Sequence, residues 1–327
     1  MVRPTENAGC LTAICAAAAM FVVVAGCGPN RGYSPPGFTP AEAAWERHHD
    51  EERAGRLEAA AEGYRALCVE SPDFPRACYD RARVLFDLGR IAEARAEATK
   101  LVVEHPEHAL APVVVKRLAA SYADAGEADA GVAALEDLAS RTRGTDAWDS
   151  EEFEIARLHR ARGDGESEAR ALSKVVDLGR WGGQLWPDAI WRLIELASDR
   201  GDRAEEERLL EKLIASREES HLIASYDTKF QAEAYLRLGR ILLGEGKLDR
   251  AYGTFMTLAG WETSRESDDG YYWAAVTRIR QGRAADACKL LRTVSSEMPW
   301  SSSVDDAEGL MREARCGGVG EGGTSGQ

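Results

Sequence analysis

The hexapeptide GRLEAA at residues 55–60 is followed by the similar GRIAEA at residues 89–94, so the two sequences begin 34 residues apart. A repeat of this period is typical of a helical hairpin that occurs several times in succession. One hairpin alone leaves an apolar face uncovered, and only its neighbours in the chain bury that face. The repeat therefore predicts a stack of helical hairpins, whose extended surfaces bind partners and rarely carry out chemistry.

A glycine between the two helices of each predicted hairpin marks the repeat along the chain. The marker glycines are Gly55, Gly89, Gly126, Gly163, Gly201, Gly246 and Gly282. Their spacings of 34, 37, 37, 38, 45 and 36 residues indicate seven units of unequal length. Residues 216–225 fall in the longest interval, where we expect an extended connection between units or a lengthened helix.

The sixth unit carries the most complete pattern. It combines Tyr235, Leu238, Gly239 and Leu242 in its first helix with Ala251 and Phe255 in its second. With these residues the chain resembles the tetratricopeptide repeat family over about residues 41–300. The resemblance implies an all-α fold, a right-handed α-solenoid of about seven tetratricopeptide-like hairpins. We expect a capping helix at residues 301–316 and a disordered Gly-rich tail at residues 317–327.

Close packing of the two helices explains the small residue that recurs early in the second helix. Alanine fills this position at Ala60, Ala94, Ala251 and Ala287. Gly131 and Glu168 replace it in the third and fourth units, so the middle of the stack departs from the pattern.

The amino-terminal residues have the pattern of a secretory signal. An apolar run at residues 11–26 ends in Val24-Ala25-Gly26-Cys27, which resembles a bacterial lipobox. The resemblance implies cleavage of residues 1–26 and a lipid-carrying Cys27 as the membrane anchor. The alternative is an uncleaved signal anchor. Residues 27–40 are rich in Pro and Gly and are predicted to be a tether.

Gly28 stands where lipoproteins kept at the inner membrane carry Asp in the best-known Gram-negative sorting rule. We therefore expect an outer-membrane lipoprotein whose solenoid faces the periplasm. The formal net charge of −14, with no run of Lys and Arg, argues against nucleic acid as a partner.

Motifs of catalysis and metal binding do not occur in the sequence. It has no P-loop, no G-x-S-x-G elbow and no Gly-rich turn between a strand and a helix. The histidine pairs His48-His49 and His105/His108 lack the Cys or carboxylate neighbours of a zinc site. The chain is predicted not to be an enzyme, with no cofactor, no metal and no identifiable small-molecule substrate.

In the tetratricopeptide family the fifth position of each first helix usually faces the inner groove. Counting ten residues back from the glycine places Trp45, Tyr79, Lys116, Phe153, Trp191 and Leu236 there. In the seventh unit a one-residue shift is expected to place Trp273 at this position. Four residues further along, three units carry Arg83, Arg157 and Arg240.

These aromatic and arginine side chains predict a groove for a partner segment with apolar side chains and carboxylates. In the alternative interpretation, the aromatic rings are wedged between successive first helices. The arginines would then pair with Asp and Glu of neighbouring units.

Four cysteines, Cys68, Cys78, Cys288 and Cys316, remain after the signal and the lipid site are set aside. In an oxidising periplasm, Cys68 is expected to pair with Cys78 and Cys288 with Cys316. The alternative is four buried free thiols.

The layout of lipobox, tether and repeats is similar to that of the tetratricopeptide lipoprotein of the β-barrel assembly machine and to type IV pilus pilotins. It implies a lipid-anchored envelope scaffold that binds envelope proteins or peptide segments during assembly of an outer-membrane or envelope complex. The alternative is a periplasmic adaptor that regulates cell-wall, division, motility or secretion machinery.

Overall fold

The computed structural model describes residues 39–181, 183–217, 228–261 and 266–316, and these residues form helices joined by short connections. The predicted signal, Cys27 and almost all of the predicted tether lie outside the described residues, as does the predicted tail at residues 317–327. The helices are α1 Pro40–Arg53, α2 Leu57–Glu70, α3 Arg76–Asp87, α4 Ile91–Glu104, α5 Ala111–Asp124, α6 Ala128–Arg141, α7 Trp148–Ala161, α8 Gly165–Asp177, α9 Trp186–Asp199, α10 Arg203–Ala215, α11 Gln231–Gly244, α12 Leu248–Ala259, α13 Ser267–Arg280, α14 Ala284–Arg292 and α15 Val304–Glu313. The fold is an all-α solenoid of helical hairpins.

The marker glycines close all seven hairpins in the same way. Each has a positive φ between 68° and 75°, a conformation that costs an L-residue energy but is open to glycine. The N–H group of the following residue donates to a carbonyl five residues earlier, for example from Arg56 to Glu51 at 2.9 Å and from Glu127 to Tyr122 at 2.8 Å. This is a Schellman cap, which satisfies carbonyls that a helix end leaves unpaired.

The units differ in length because the connections between successive hairpins differ in length. Every first helix ends two residues before its glycine, and every second helix begins two residues after it. In the longest interval α10 has 13 residues and ends at Ala215, so the helix is not lengthened. The extra residues lie between α10 and α11, part of which falls outside the described residues.

The apolar core is nearly continuous along the stack. Its largest part extends from Cys78 in α3 to Ala274 in α13, with smaller clusters beneath α1–α3 and around α13–α15. The four alanines predicted at the helix crossings are all 0% exposed: Ala60, Ala94, Ala251 and Ala287. At Gly131 a β-carbon would lie 2.7 Å from Tyr122 Cβ, which explains glycine in the third unit.

A buried carboxylate takes the place of alanine in the fourth and fifth units. Glu168 is 3% exposed and pairs with Arg192 of α9 at 2.6 Å. Glu206 is 2% exposed and pairs with Arg237 of α11 at 2.6 Å. At this position an ion pair joins each of these two units to the next one, whereas the other units have a small residue that allows close packing.

The last hairpin is extended by a π-helical segment, Thr293–Glu297, and α15 then packs back against it. Ala307 of α15 is 0% exposed beside Leu291 and Val294, so α15 covers the end of the stack. Within the described part of the chain, no helix is both long enough and apolar enough to span a membrane.

Candidate partner-binding site

The constant geometry of the hairpins fixes which first-helix residues are equivalent. Because α13 ends at Arg280, two residues before Gly282, the seventh unit has no shift in register. Tyr272, and not Trp273, therefore occupies the position of Trp45 and Trp191. The predicted one-residue shift is wrong. Trp273 instead corresponds to Arg192 and Arg237, and it packs against Phe255 of the preceding hairpin with ring centroids 6.1 Å apart.

The aromatic side chains of the first two units lie in the joints between successive first helices. Trp45 is 7% exposed, and its indole N–H donates to Asp80 of α3 at 2.8 Å. The Arg76 guanidinium, at the start of α3, lies 3.8 Å from the Trp45 ring centroid. Tyr79 is 1% exposed and stacks on His108 before α5 at 4.6 Å. Both rings seal joints and are not open to a partner.

The equivalent residues of the fifth and sixth units are also covered. Trp191 stacks on Phe230, just before α11, with ring centroids 4.9 Å apart and the planes 2° from parallel. Leu236 is 3% exposed. The alternative interpretation, aromatic rings wedged between first helices, thus describes Trp45, Tyr79 and Trp191.

The three predicted groove arginines have different environments. Arg83 pairs with Glu52 of the preceding unit at 2.6 Å and with Asp80 at 3.2 Å, so it joins two units. Arg240 is exposed, with its guanidinium 4.7 Å from the Trp273 ring centroid. Arg157 keeps 52% of its side chain exposed while pairing with Glu154 at 2.9 Å.

The joints on either side of α7 differ from those at Trp45, Tyr79 and Trp191, because among the described residues no ring or cation of the next unit covers Lys116 or Phe153. The residue ten positions before the marker glycine is Lys116 in α5, which is exposed, and Phe153 in α7, which is half-buried. A pocket of about 910 Å³ lies here, lined by α5, α7 and the connection that leads to α9. It brings together Lys116, Phe153 and Arg157, three residues that the repeat register had singled out.

The pocket carries charges of both signs. Its carboxylates belong to Glu107, Asp146, Asp149 and Glu154, and its cations to Lys116, Arg157 and Arg180. Burial raises the pKa of Glu154, although Arg157 and Lys116 oppose this effect. Burial lowers the pKa of His108, so the imidazole at the pocket wall is neutral at pH 7.

Trp181 is the pocket residue that the repeat register did not find. It is 68% exposed and lies in the connection between α8 and α9. Arg180 lies 4.8 Å from its ring centroid and donates to the Ser216 carbonyl. A tryptophan in a connection between units, in a chain with only 7% aromatic residues, is the signal that could have identified it.

A buried acid lies beside the pocket on the same helix. Glu151 is 0% exposed, and burial raises its pKa to about 7, with Glu152 and Asp149 acting in the same direction. The Thr142 hydroxyl lies 2.5 Å from Glu151 Oε2 and 3.1 Å from the Leu138 carbonyl oxygen. One hydroxyl proton cannot serve both acceptors. A protonated Glu151 resolves this, because it donates to Thr142, which then donates to Leu138.

The structure joins Cys68 to Cys78 and Cys288 to Cys316, with Cα atoms 5.1 Å and 5.4 Å apart. Their pairing in the protein stays a prediction until the thiols are counted. No group of three or more His, Cys, Asp or Glu side chains in the described ranges is placed to hold a metal ion.

The repeat unit is a hairpin of two helices, most of them 12 to 14 residues long, with small residues at the crossings and a glycine cap between them. This pattern resembles the tetratricopeptide hairpin that the sequence predicts. No protein-family model matches the sequence, and no curated protein does so either.

Solved structures of tetratricopeptide proteins are similar in fold. One is a tetratricopeptide repeat protein from Parabacteroides merdae ATCC 43184, with a TM-score of 0.37 and 14% identity, covering 84% of this chain and 98% of that one. Another is the C-terminal part of a repeat protein from Cytophaga hutchinsonii, with a TM-score of 0.44 and 17% identity, covering 72% of this chain and 84% of that one.

A third is YrrB, a tetratricopeptide protein with an unusual peptide-binding site, with a TM-score of 0.40 and 15% identity, covering 66% of this chain and 97% of that one. At TM-scores of 0.37 to 0.44, these similarities give no basis for transferring a site or a partner to this chain.

Proposed function

We propose that the protein is a lipid-anchored scaffold of the bacterial envelope that binds protein partners through its first helices, in the assembly of an outer-membrane or envelope complex. The pocket beside α7 is the binding site in this proposal. The anchor is Cys27, which ends the apolar amino-terminal run.

The open joints on either side of α7 are the observation that carries the binding role. In the first, second and fifth units a ring or cation from the next unit covers the aromatic residue. At α7 no such ring or cation covers Phe153 among the described residues, and this half-buried side chain borders a pocket of about 910 Å³ that Trp181, 68% exposed, also lines. Exposed aromatic side chains beside a cavity are typical anchors for a protein partner.

Photo-crosslinking in whole envelopes tests the binding role. A photoreactive amino acid in place of Phe153 should give crosslinks to a discrete envelope protein. The matched control places the same amino acid at Val69 of α2, which is 75% exposed but remote in sequence from the pocket. Equal labelling at the two positions, or no crosslink at position 153, would contradict the proposed site.

Cell fractionation tests the anchor. The Cys27→Ser variant cannot be acylated, so it should move from the membrane to the soluble fraction or remain as an unprocessed precursor of higher mass. A processed variant that stays in the membrane fraction would show that lipid at Cys27 is not the anchor.

A further inference from the structure

The pocket beside α7 has opposite charges at its two ends. Glu107, Asp146 and Asp149 lie at its edge, in the connections between units or in the first turn of α7. Lys116 and Arg157 lie further along α5 and α7. Two residues reduce this separation of charge without cancelling it. Arg180 is a cation at the carboxylate edge, and Glu154 is an acid between the two ends.

Several of these charges lack an ion-pair partner. Within the described ranges, no opposite charge lies within 4.0 Å of Glu107, Asp146 or Lys116, and Glu107 accepts only the Asp146 backbone N–H at 3.3 Å. Asp149 is 5% exposed and accepts hydrogen bonds from Ser150 and from the Leu185 backbone N–H. A partner with charges of both signs would therefore find complementary groups at both ends.

The spacing along α7 defines the shape of such a partner. Asp149, Phe153 and Arg157 are four residues apart, so they recur on one side of the helix at steps of roughly 6 Å. In an extended peptide, alternate side chains point to the same side at steps of roughly 6.6 Å. Three alternate side chains of an extended segment thus match the three positions of the helix.

We propose, building on the scaffold function above, that the pocket binds an extended peptide segment with a cationic, an apolar and an acidic side chain at alternate positions. The cation lies at the carboxylate edge, near the exposed Glu107 and Asp146. The apolar side chain packs between Phe153 and Trp181. The acidic group lies near Lys116 and Arg157.

Fluorescence anisotropy with defined peptides tests this charge pattern. The probes are four capped, labelled peptides, with Ser between the named residues: Lys-Ser-Phe-Ser-Glu, the reversed order Glu-Ser-Phe-Ser-Lys, Lys-Ser-Phe-Ser-Lys and Glu-Ser-Phe-Ser-Glu. Both mixed orders are needed because a bound strand can run in either direction. We expect one mixed peptide to bind about fivefold more tightly than either peptide of uniform charge.

A charge reversal at one end of the pocket makes the test specific. In Lys116→Glu the preference should move toward the Lys-Ser-Phe-Ser-Lys peptide, because an acid then replaces the unpaired cation of that end and the remaining Arg157 is paired with Glu154. Lys100→Glu is the matched control: Lys100 is 66% exposed on α4, so the net charge changes equally outside the pocket. It should leave the preference unchanged, and circular dichroism checks that both variants are folded.

The outcomes separate this inference from the scaffold function. Equal affinity for all four peptides, or the same preference in Lys116→Glu as in the unchanged protein, would overturn the charge pattern. No binding of any peptide, together with specific crosslinks from position 153, would also overturn it while leaving the scaffold function intact. A peptide preference without crosslinks in envelopes would support the pocket chemistry and contradict the scaffold function.

Discussion

Glu151 is a single buried acid that makes the stability of the folded chain depend on pH. Its pKa is raised from an ordinary value of 4.5 to about 7, so the folded chain retains a proton that the unfolded chain releases. Folding stability therefore falls as pH rises from about 4.5 to about 7 and changes little from this source above pH 7.

We predict that Glu151→Gln removes this part of the pH dependence. Glutamine keeps a donor for Thr142 and cannot ionise, so the variant should be more stable than the unchanged protein at pH 8, by on the order of 3 kcal/mol. At pH 4 the two proteins should unfold at similar urea concentrations. The measurement is urea unfolding followed by circular dichroism at several pH values.

Glu58→Gln provides the control for this experiment, because Glu58 is an exposed carboxyl group on α2. It should follow the pH profile of the unchanged protein. If Glu151→Gln also follows that profile, Glu151 is not held protonated in the folded chain.

The sequence predicts only in part which of the groove residues are exposed. The fifth-position rule gives Lys116 and Phe153 equivalent places, and both line one pocket, because the glycine cap fixes the register locally. It could not tell that Trp45 and Tyr79 are covered. Their exposure depends on Arg76 and His108, which come from the next unit and have no fixed place in the repeat.

At the scale of the helical elements, the joint between α8 and α9 depends on a buried ion pair. Glu168 has only 4% of its side chain exposed, and Arg192, with 19%, is its partner. Removing one member of a buried pair leaves an uncompensated charge, whereas replacing both is far less costly.

We predict that Arg192→Ala lowers the free energy of unfolding by roughly 3–5 kcal/mol. Adding Glu168→Ala to that variant should restore much of the loss, because alanine fills the same position in four other units. Urea unfolding of the single and double variants measures both effects. Arg170→Ala on α8, where the arginine side chain is 68% exposed, should cost less than about 0.5 kcal/mol.

A double variant no more stable than Arg192→Ala would contradict this account, since the damage would then come from lost packing of the arginine stem. Sequence alone identified Glu168 as a departure from the repeat but not its partner. That partner lies 24 residues away on the next hairpin, outside the repeat unit that contains Glu168.

At the scale of the whole molecule, the two cysteine pairs lie toward opposite ends of the stack. Cys68–Cys78 joins the first hairpin to the second, and Cys288–Cys316 joins the last hairpin to a residue three positions after the end of α15. Terminal repeats have a neighbour on one side only, so they gain least from stacking. A covalent link there restrains the units that packing holds least firmly.

We predict that reduction loosens the stack from its ends. Hydrogen exchange with and without reductant should show lost amide protection in α1–α2 and in α15, while α5–α9 stay protected. The Cys316→Ser variant should lose protection at α15 alone. Alkylation of the non-reduced protein followed by mass spectrometry checks the premise, since labelling of Cys68, Cys78, Cys288 and Cys316 would contradict both pairs.

The proposed binding pocket has two parts. One part lies on hairpins of constant geometry, and the other lies in a connection whose length varies between units. Lys116, Phe153 and Arg157 lie on helices whose register the glycine caps hold fixed. Trp181 and Gln184 lie in a connection that can change in length or composition without altering a helix. New binding preferences can therefore arise by exchange of that connection alone, and a library randomised there would be a practical starting point for engineered binders built on this chain.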